Sequence, residues 1–247
     1  MKMNLKPVFR YEMRDYLMGS WPFFAVIVAI VIASFAGAFL FNGGEVSFMG
    51  YGMAACICLF VFGVVEPRPA LRLCAQMGVS RRTAFVGNLI SAVADCAILA
   101  LAGEILFTIA KVFAGSRMAF SDIYQLFYQN EHLMEQLSIG GHVLSILLNT
   151  ACMLAAYCLG MFFTFLFWRL SKVWCVVAAV AIPLTLNIVP AAVYRCVPLA
   201  RAARAFIDLL ASSAWNLMGF LVIVAAVFAV ISYLLVRKAN IKAPTSK

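Results

Sequence analysis

Residues 21–41 read WPFFAVIVAIVIASFAGAFLF, a stretch without a charged side chain. An α-helix needs about 20 apolar residues to cross the hydrocarbon core of a bilayer, so this stretch predicts a membrane-spanning helix. Applying the same criterion to the rest of the chain predicts an all-α, polytopic membrane protein with six transmembrane helices. The predicted spans are 21–41, 46–65, 85–114, 142–167, 173–194 and 215–236.

The composition of the whole chain supports this class. Hydrophobic residues make up 65% of the 247 residues and charged residues only 12%, whereas soluble domains are roughly half apolar and a quarter charged. These fractions exclude disordered proteins and disulfide-rich secreted scaffolds. Six spans of about 20 residues each leave too few positions for a second domain of normal size. We therefore predict a single transmembrane domain over residues 1–247.

Basic residues are concentrated in alternate connections between the spans. Lysine and arginine cluster in the segments 1–20, 66–84, 168–172 and 237–247. By the positive-inside rule these segments lie in the cytoplasm, and so do both termini. Three arginines on the predicted outer side, Arg195, Arg201 and Arg204, go against the rule.

The segment before the first span, 1–20, alternates apolar and basic residues at helical spacing. It predicts a short amphipathic helix on the cytoplasmic membrane surface, which serves either as a plain anchor or as a contact for a partner. Glu12 falls on the apolar face of this helix. An ionised carboxylate is costly there, so Glu12 either has a partner in the fold or the helix is rotated from this projection.

The loop at 66–84 has clear start and stop signals. Pro67 and Pro69 end the second span, Gly78 suits the residue after a helix end, and Ser80 is a good N-cap for the third span. Residues 70–77 are therefore expected to form a short cytoplasmic helix with Arg72 and Gln76 on its exposed face. This helix either docks on a partner or is simply a basic loop of the kind that orients membrane proteins.

Two further amphipathic segments are predicted on the outer side. Apolar residues recur at helical spacing in 121–137 and again in 197–214. Both are expected to be helices that rest at the outer interface. They either seal the outer end of a pathway or cap the helix bundle.

Polar residues inside the third span are the main candidates for an intramembrane function, because a carboxylate near the bilayer centre costs about 2.5–3.5 kcal/mol. Asp95 and Glu104 are nine residues apart, which places them about 180° apart on a helix. Asn88 and Ser91 share a stripe with Asp95, and Asn149 or Asn187 of later spans is its expected partner. Glu104 shares its stripe with Lys111, which is expected to neutralise it. Interhelical contacts and a transport role explain these residues equally well.

Motifs for enzymatic chemistry are absent from the sequence. It contains no HExxH, no GxSxG and no GxxxxGK[ST], so ATP-driven work requires another subunit. His132 and Glu135 have a spacing compatible with metal binding, but two ligands are too few to predict a metal site. We expect no catalytic residue, metal or cofactor in this chain.

The arrangement resembles the membrane subunit of ATP-binding cassette exporters of the ABC-2 type. The resemblance covers nearly the whole chain and includes FRYEMRD at 9–15 before the first span and QMGVSRRT at 76–83 between spans two and three. It implies that the first helix is an elbow helix and the loop helix a coupling helix. It also implies a bacterial cytoplasmic membrane, a cytosolic ATPase subunit that binds ATP and Mg²⁺, and a second permease copy as homodimer or heterodimer. No nucleic-acid partner is expected.

By this resemblance, the residues that contact the ATPase are Arg72, Gln76, Arg81, Arg82 and Glu12. The resemblance doesn't identify a substrate or the residues that line the path.

Two other functions compete with the exporter. The chain is alternatively the substrate-binding membrane module of an energy-coupling uptake system, because Ala25, Ala29 and Ala33 form a stripe of small residues suited to docking. A third hypothesis is an intramembrane enzyme that uses Asp95 or Glu104 as general base. The amphipathic first helix and the basic loop favour the exporter over both.

Overall fold

The computed structural model of the protein describes residues 5–40, 46–114, 118–128, 139–170 and 197–237, together with Val177, Thr185 and Arg195. These ranges are helical apart from one pair of short strands and the connecting turns. In chain order the elements are α1 (Leu5–Leu40), β1 (Val46–Met49), α2 (Tyr51–Val65), α3 (Pro67–Gln76), α4 (Arg81–Ala114), β2 (Met118–Ser121), α5 (Ile123–Tyr128), α6 (Ile139–Arg169), α7 (Val197–Ala211) and α8 (Ala214–Arg237).

Five helical segments in the described part are long and apolar enough to cross a membrane: α1, α2 continued by α3, α4, α6 and α8. They coincide with five of the six predicted spans. The remaining span, 173–194, lies outside the described residues except for Val177 and Thr185, so the count of six stays a prediction.

Helix α6 lies at the centre of the bundle. It contacts α2, α4 and α8, and α1 packs against α4. Half of the residues in the most apolar stretch of α6 are buried, compared with 17% in α1 and α8. A helix that is apolar all round is expected in such a position, because its neighbours cover every face.

Two glycines allow α2 and α6 to approach each other closely. A Cβ atom added at Gly63 would meet the backbone of Tyr157 and Met161, and one added at Gly160 would meet the carbonyl oxygen of Phe60 and the backbone of Gly63. Small residues at helix crossings are common in membranes because packing, rather than the hydrophobic effect, holds the helices together. Close backbone contact therefore determines the position of α2 on α6.

The separate surface helix predicted over 1–20 is not observed, since α1 runs without a break from Leu5 to Leu40 and contains Pro22 in its interior. The physical reason is a stripe of buried side chains that continues past the proline and packs against the rest of the bundle. Tertiary packing outweighs the local cost of a proline within a helix. The buried residues of this stripe are Val8, Glu12, Tyr16, Ser20, Ile27 and Val31.

The predicted span 46–65 is also corrected at its start. Residues 46–49 form β1, which pairs in parallel with β2 from Val46 opposite Met118 to Met49 opposite Ser121. Gly50 then adopts φ = +109°, a left-handed conformation that favours glycine, and α2 begins at Tyr51. The pair joins the connection after α1 to the connection after α4, which no pattern within either segment predicts.

The two ends of the bundle differ in character. One end, which we call the α3 end, contains α3, the first turns of α1 and α4, and the last turn of α8. There a Cβ atom at Gly87 would meet Val8, and the guanidinium of Arg81 donates to the carbonyl oxygen of Arg237 at 3.4 Å. The opposite end, the β end, contains β1, β2, α5 and α7, and the Tyr128 hydroxyl donates to the Leu210 carbonyl at 3.0 Å.

The two amphipathic segments predicted on the outer side both contain helices at the β end. Of the segment 121–137, the structure describes α5, and 129–137 lies outside the described residues. Of the segment 197–214, the structure describes α7 as a separate helix before α8.

Candidate functional site

Helix α3 lies between α2 and α4 and is held by its apolar face. Pro67, Leu71 and Cys74 of this helix are buried. The helix begins three residues earlier than predicted, because proline is well suited to the first turn, where its missing N–H has no partner in any case. Its outer face remains exposed.

The turn from α3 into α4 is tightly defined. Gly78 has φ = +72°, and the amide of Val79 donates to the Cys74 carbonyl at 2.9 Å. The Ser80 hydroxyl accepts from the Thr83 amide at 3.2 Å, which caps α4. Both signals were predicted from the sequence. They make α3 and α4 a connected unit with little freedom at the joint.

Two arginines of α3 attach it to α6. The guanidinium of Arg68 donates to the Thr164 carbonyl at 2.9 Å. The guanidinium carbons of Arg68 and Arg72 lie 5.6 and 5.8 Å from the ring centroid of Trp168, a distance typical of cation–π contacts. Arg72, expected on a free face, is therefore exposed on one side and in contact with α6 on the other.

The exposed polar residues of this region form what we call the α3 surface: Arg72, Gln76, Arg81 and Arg82. Glu12, which the family resemblance adds to the same set, doesn't belong to this surface. It lies on the packed face of α1 and is 3% exposed. The sequence pattern placed Glu12 on the apolar face correctly, and packing of that face on the bundle buries it.

Behind the α3 surface, three side chains form a closed ring of hydrogen bonds between α1, α4 and α6. The Tyr16 hydroxyl lies 2.6 Å from the Tyr157 hydroxyl, which donates to Oδ1 of Asn88 at 2.6 Å. Nδ2 of Asn88 donates to the Tyr16 hydroxyl at 3.0 Å. We call these three residues the tyrosine ring. A buried tyrosine hydroxyl usually has a hydrogen-bond partner, but the sequence does not show that Tyr16 and Tyr157 are buried, so it did not identify them.

Asp95 lies farther into the bundle from the α3 end than the tyrosine ring and is 1% exposed. The Ser20 hydroxyl lies 2.9 Å from each of its carboxylate oxygens and 2.7 Å from the Tyr16 carbonyl oxygen, so these acceptors share one proton. The expected pairing of Asp95 with Asn149 is wrong, because α1 rather than α6 supplies the partner. The alternative partner, Asn187, lies outside the described residues.

Glu104 belongs to a second polar cluster near the β end. Its carboxylate lies 2.6 Å from Nδ1 of His142 and accepts from the Ser145 hydroxyl at 3.1 Å. Helix α6 therefore supplies two partners that the spacing along α4 did not reveal. Asp95 and Glu104 contact different residues on different helices, in agreement with the 180° between them on the helix.

Asp122 links this second cluster to the loop before α5. Oδ1 accepts from the Ile123 amide at 2.7 Å, and Oδ2 accepts from the Ser145 hydroxyl at 3.2 Å and from Nδ2 of Asn149. Burial raises the pKa of the Asp122 carboxyl to about 6. Its position just before a helix is a typical capping position, but its distant partners cannot be read from the sequence.

These clusters join helices of the bundle through side-chain hydrogen bonds. Among the described residues there is no group of three or more histidine, cysteine, aspartate or glutamate side chains that could hold a metal ion. The pair His132 and Glu135 lies outside the described residues. The alanines of the uptake hypothesis, Ala25, Ala29 and Ala33, are exposed on α1.

Comparisons with known proteins identify no relative. No protein-family model, no curated protein and no solved structure matches the chain. The fold itself defines the class: several long apolar helices packed into one bundle make this a multi-pass membrane protein.

Proposed function

We propose that the chain is the permease subunit of an ATP-binding cassette exporter of the ABC-2 type. Two copies, or one copy and a related permease, enclose the substrate path. Separate cytosolic ATPase subunits bind ATP and Mg²⁺ and dock on the α3 surface. ATP hydrolysis is thus carried out by the partner subunits. This chain uses their movement to open the substrate path alternately to the two sides of the membrane.

The observation that carries this proposal is the attachment of α3. Its buried face and the Arg68 contact to Thr164 join it to the bundle, and the Gly78–Ser80 turn joins it to α4. Arg72 and Gln76 remain exposed next to each other, one helical turn apart. A short helix with these attachments acts as a lever, because a force on its outer face moves α4 and α6 together.

The basic character of the α3 end supports a cytoplasmic position for it. Arg72, Arg81, Arg82 and Arg237 are exposed there, as the positive-inside rule requires of a cytoplasmic face. In this orientation the first turn of α1 and the last turn of α8 are both cytoplasmic, and the β end faces outward. The proposed location is a bacterial cytoplasmic membrane.

Asp95 and Glu104 hold helices together in this proposal. Each carboxylate lies within hydrogen-bond distance of a hydroxyl group on a neighbouring helix, Ser20 for Asp95 and Ser145 for Glu104. Hydrogen-bonded polar groups of this kind are a common form of interhelical contact in membranes. The substrate path then lies between the two permease copies.

The test is a pull-down of the tagged chain in mild detergent from membranes of its native host, with ATP hydrolysis measured in the eluate. We expect the wild-type chain to retain an ATPase, and the double variant Arg72→Ala, Gln76→Ala to lose most of it. The matched control is Arg201→Ala, Arg204→Ala, which removes two exposed arginines from α7 at the β end. Equal loss in the control, or no ATPase with any variant or the wild type, contradicts the proposal.

A further inference from the structure

An acidic pocket lies between α1, α3 and α4 at the α3 end, next to the α3 surface. It has a cavity volume of about 190 Å³. Since one water molecule takes about 30 Å³ in the liquid, the pocket has room for a small polar group. The residues that line it are Tyr11, Glu12, Asp15, Tyr16, Glu66, Pro69, Ala70, Leu73 and Asn88.

The pocket contains three carboxyl groups and no basic side chain among its lining residues. The charges of Asp15 and Glu66 both act on Glu12. Asp15 and Glu66 therefore give the pocket negative charge that no other lining residue offsets.

Glu12 is the least satisfied of the three. It is 3% exposed, and neither of its carboxyl oxygens has a hydrogen-bond partner among the described residues. Nδ2 of Asn88, which also lines the pocket, donates instead to the Tyr16 hydroxyl at 3.0 Å. A buried polar group without a partner costs about 1–3 kcal/mol, and more when it is charged. Such a group, in a pocket lined by further carboxylates, is suited to a ligand that donates hydrogen bonds and carries positive charge.

The arrangement favours an organic cation over a metal ion. The described carboxyl groups are not close enough together to form a set of three metal ligands. A guanidinium or ammonium group has several donors spread over a larger volume, so it can contact carboxylates that do not converge on one point. Hydrogen bonds between such a donor and a carboxylate are among the strongest in proteins.

We infer that the pocket formed by Glu12, Asp15 and Glu66 binds a guanidinium or primary ammonium group. The group comes either from a small molecule or from a lysine or arginine side chain of a cytosolic subunit docked on α3; only the second source rests on the proposed function. Because Pro69, Ala70 and Leu73 form one wall, a bound cation contacts α1 and α3 together. It thereby strengthens the attachment of α3 to the bundle.

The first measurement uses the full chain in lipid nanodiscs and isothermal titration with n-propylguanidinium and n-propylammonium chloride. Propanol serves as the neutral analogue and sodium chloride as the ionic-strength control. We expect saturable binding of one cation per chain, weakened at least tenfold in Glu12→Gln and in Glu66→Gln. Loss of one charge-assisted hydrogen bond accounts for a change of this size. The matched variant Asp208→Asn, which removes an exposed carboxylate from α7, is expected to bind like the wild type.

Absence of saturable binding to the wild type overturns the inference, and so does equal binding by wild type, Glu12→Gln and Glu66→Gln. The use of two variants and of the wild type itself keeps the test decisive if one variant fails to fold.

A second measurement identifies the source of the cation. Where the pull-down retains an ATPase, saturating n-propylguanidinium is added to the column. If n-propylguanidinium releases the ATPase from the wild-type chain at the concentrations that saturate the pocket in the titration, the bound cation is a side chain of the ATPase subunit. Full retention indicates a small-molecule cation. If no ATPase is retained at all, the proposed function fails while the titration still decides whether the pocket binds cations.

Discussion

The hydroxyl groups of Tyr16 and Tyr157 lie 2.6 Å apart, although 141 positions separate the two residues in the chain. With Asn88 they form the tyrosine ring, in which each member donates one hydrogen bond and accepts one. The ring joins α1, α4 and α6 directly behind α3. The tyrosine ring is therefore a polar contact that fixes the relative positions of these three helices next to α3.

Replacement of Tyr157 by phenylalanine opens the tyrosine ring. The Tyr16 hydroxyl loses its acceptor and Oδ1 of Asn88 loses its donor, both in a buried position. We expect the free energy of unfolding to fall by about 1–3 kcal/mol, the cost of unsatisfied buried polar groups. Thermal unfolding in detergent measures the change. Tyr233→Phe on α8 is the control, because the structure describes only a ring contact with Phe85 for that residue; an equal effect in both variants contradicts the assignment.

Replacement of Gly63 by alanine is expected to separate α2 from α6. The added Cβ would lie 3.0 Å from the Met161 amide nitrogen and closer still to the Tyr157 carbonyl oxygen. Overpacking of this kind costs about 1–3 kcal/mol. On α8, a Cβ at Gly219 meets no atom within 4 Å, so Gly219→Ala should leave stability unchanged or raise it by up to about 1 kcal/mol. We therefore expect the melting temperature to fall in Gly63→Ala and to stay the same or rise in Gly219→Ala.

The pH dependence of stability should contain a contribution from Asp122. Burial raises the pKa of this carboxyl from 3.8 to about 6, so between these values the folded protein retains a proton that the unfolded chain releases. The stabilising contribution is complete below about 3.8 and is lost as the pH rises through about 6. We expect the stability of the wild type, relative to Asp122→Asn, to fall across this window and to be constant above it. A difference that is independent of pH contradicts the prediction.

Replacement of Asp95 by asparagine tests whether this carboxylate serves assembly, packing or chemistry. Asparagine keeps an acceptor for the Ser20 hydroxyl and has nearly the same shape, and Asp95 is buried away from the α3 surface. The change replaces a charged hydrogen bond by a neutral one and leaves the α3 surface unaltered. We therefore expect the amount of co-purified ATPase to remain within about twofold of the wild type. Loss of the complex would show that Asp95 is required for the fold. Turnover of a substrate without ATP, abolished by this change, would favour the intramembrane enzyme.

Much of the secondary structure could be predicted because its causes are local. Apolar runs of spanning length define α1, α4, α6 and α8, and the described helices coincide with them. The turn after α3 was also predictable, since Gly78 and Ser80 act through their own backbone and immediate neighbours. The continuity of α1 was not predicted, because the packed stripe from Val8 to Val31 that keeps this helix continuous depends on contacts with other helices.

The candidate sites could be predicted only in part. Asp95, Glu104, Asn88 and Asn149 were recognised because polar groups are rare within apolar helices. Their partners were wrong or missing, since Ser20, His142 and Asp122 come from other helices or from a loop and carry no spacing relationship to them. The acidic pocket was not anticipated at all, because Glu12, Asp15 and Glu66 belong to two segments whose contact depends on how α1 packs.

The sequence by itself thus determined that the chain is an apolar helical membrane protein, where most of its helices lie, and which end is basic. These properties follow from hydrophobic patterning and helix capping, which act over a few residues. The tertiary structure alone decided the tyrosine ring, the pairing of β1 with β2, the attachment of α3 to α6 and the burial of Glu12. Each depends on contacts between residues far apart in the chain, because the rotation and approach of packed helices select which side chains meet.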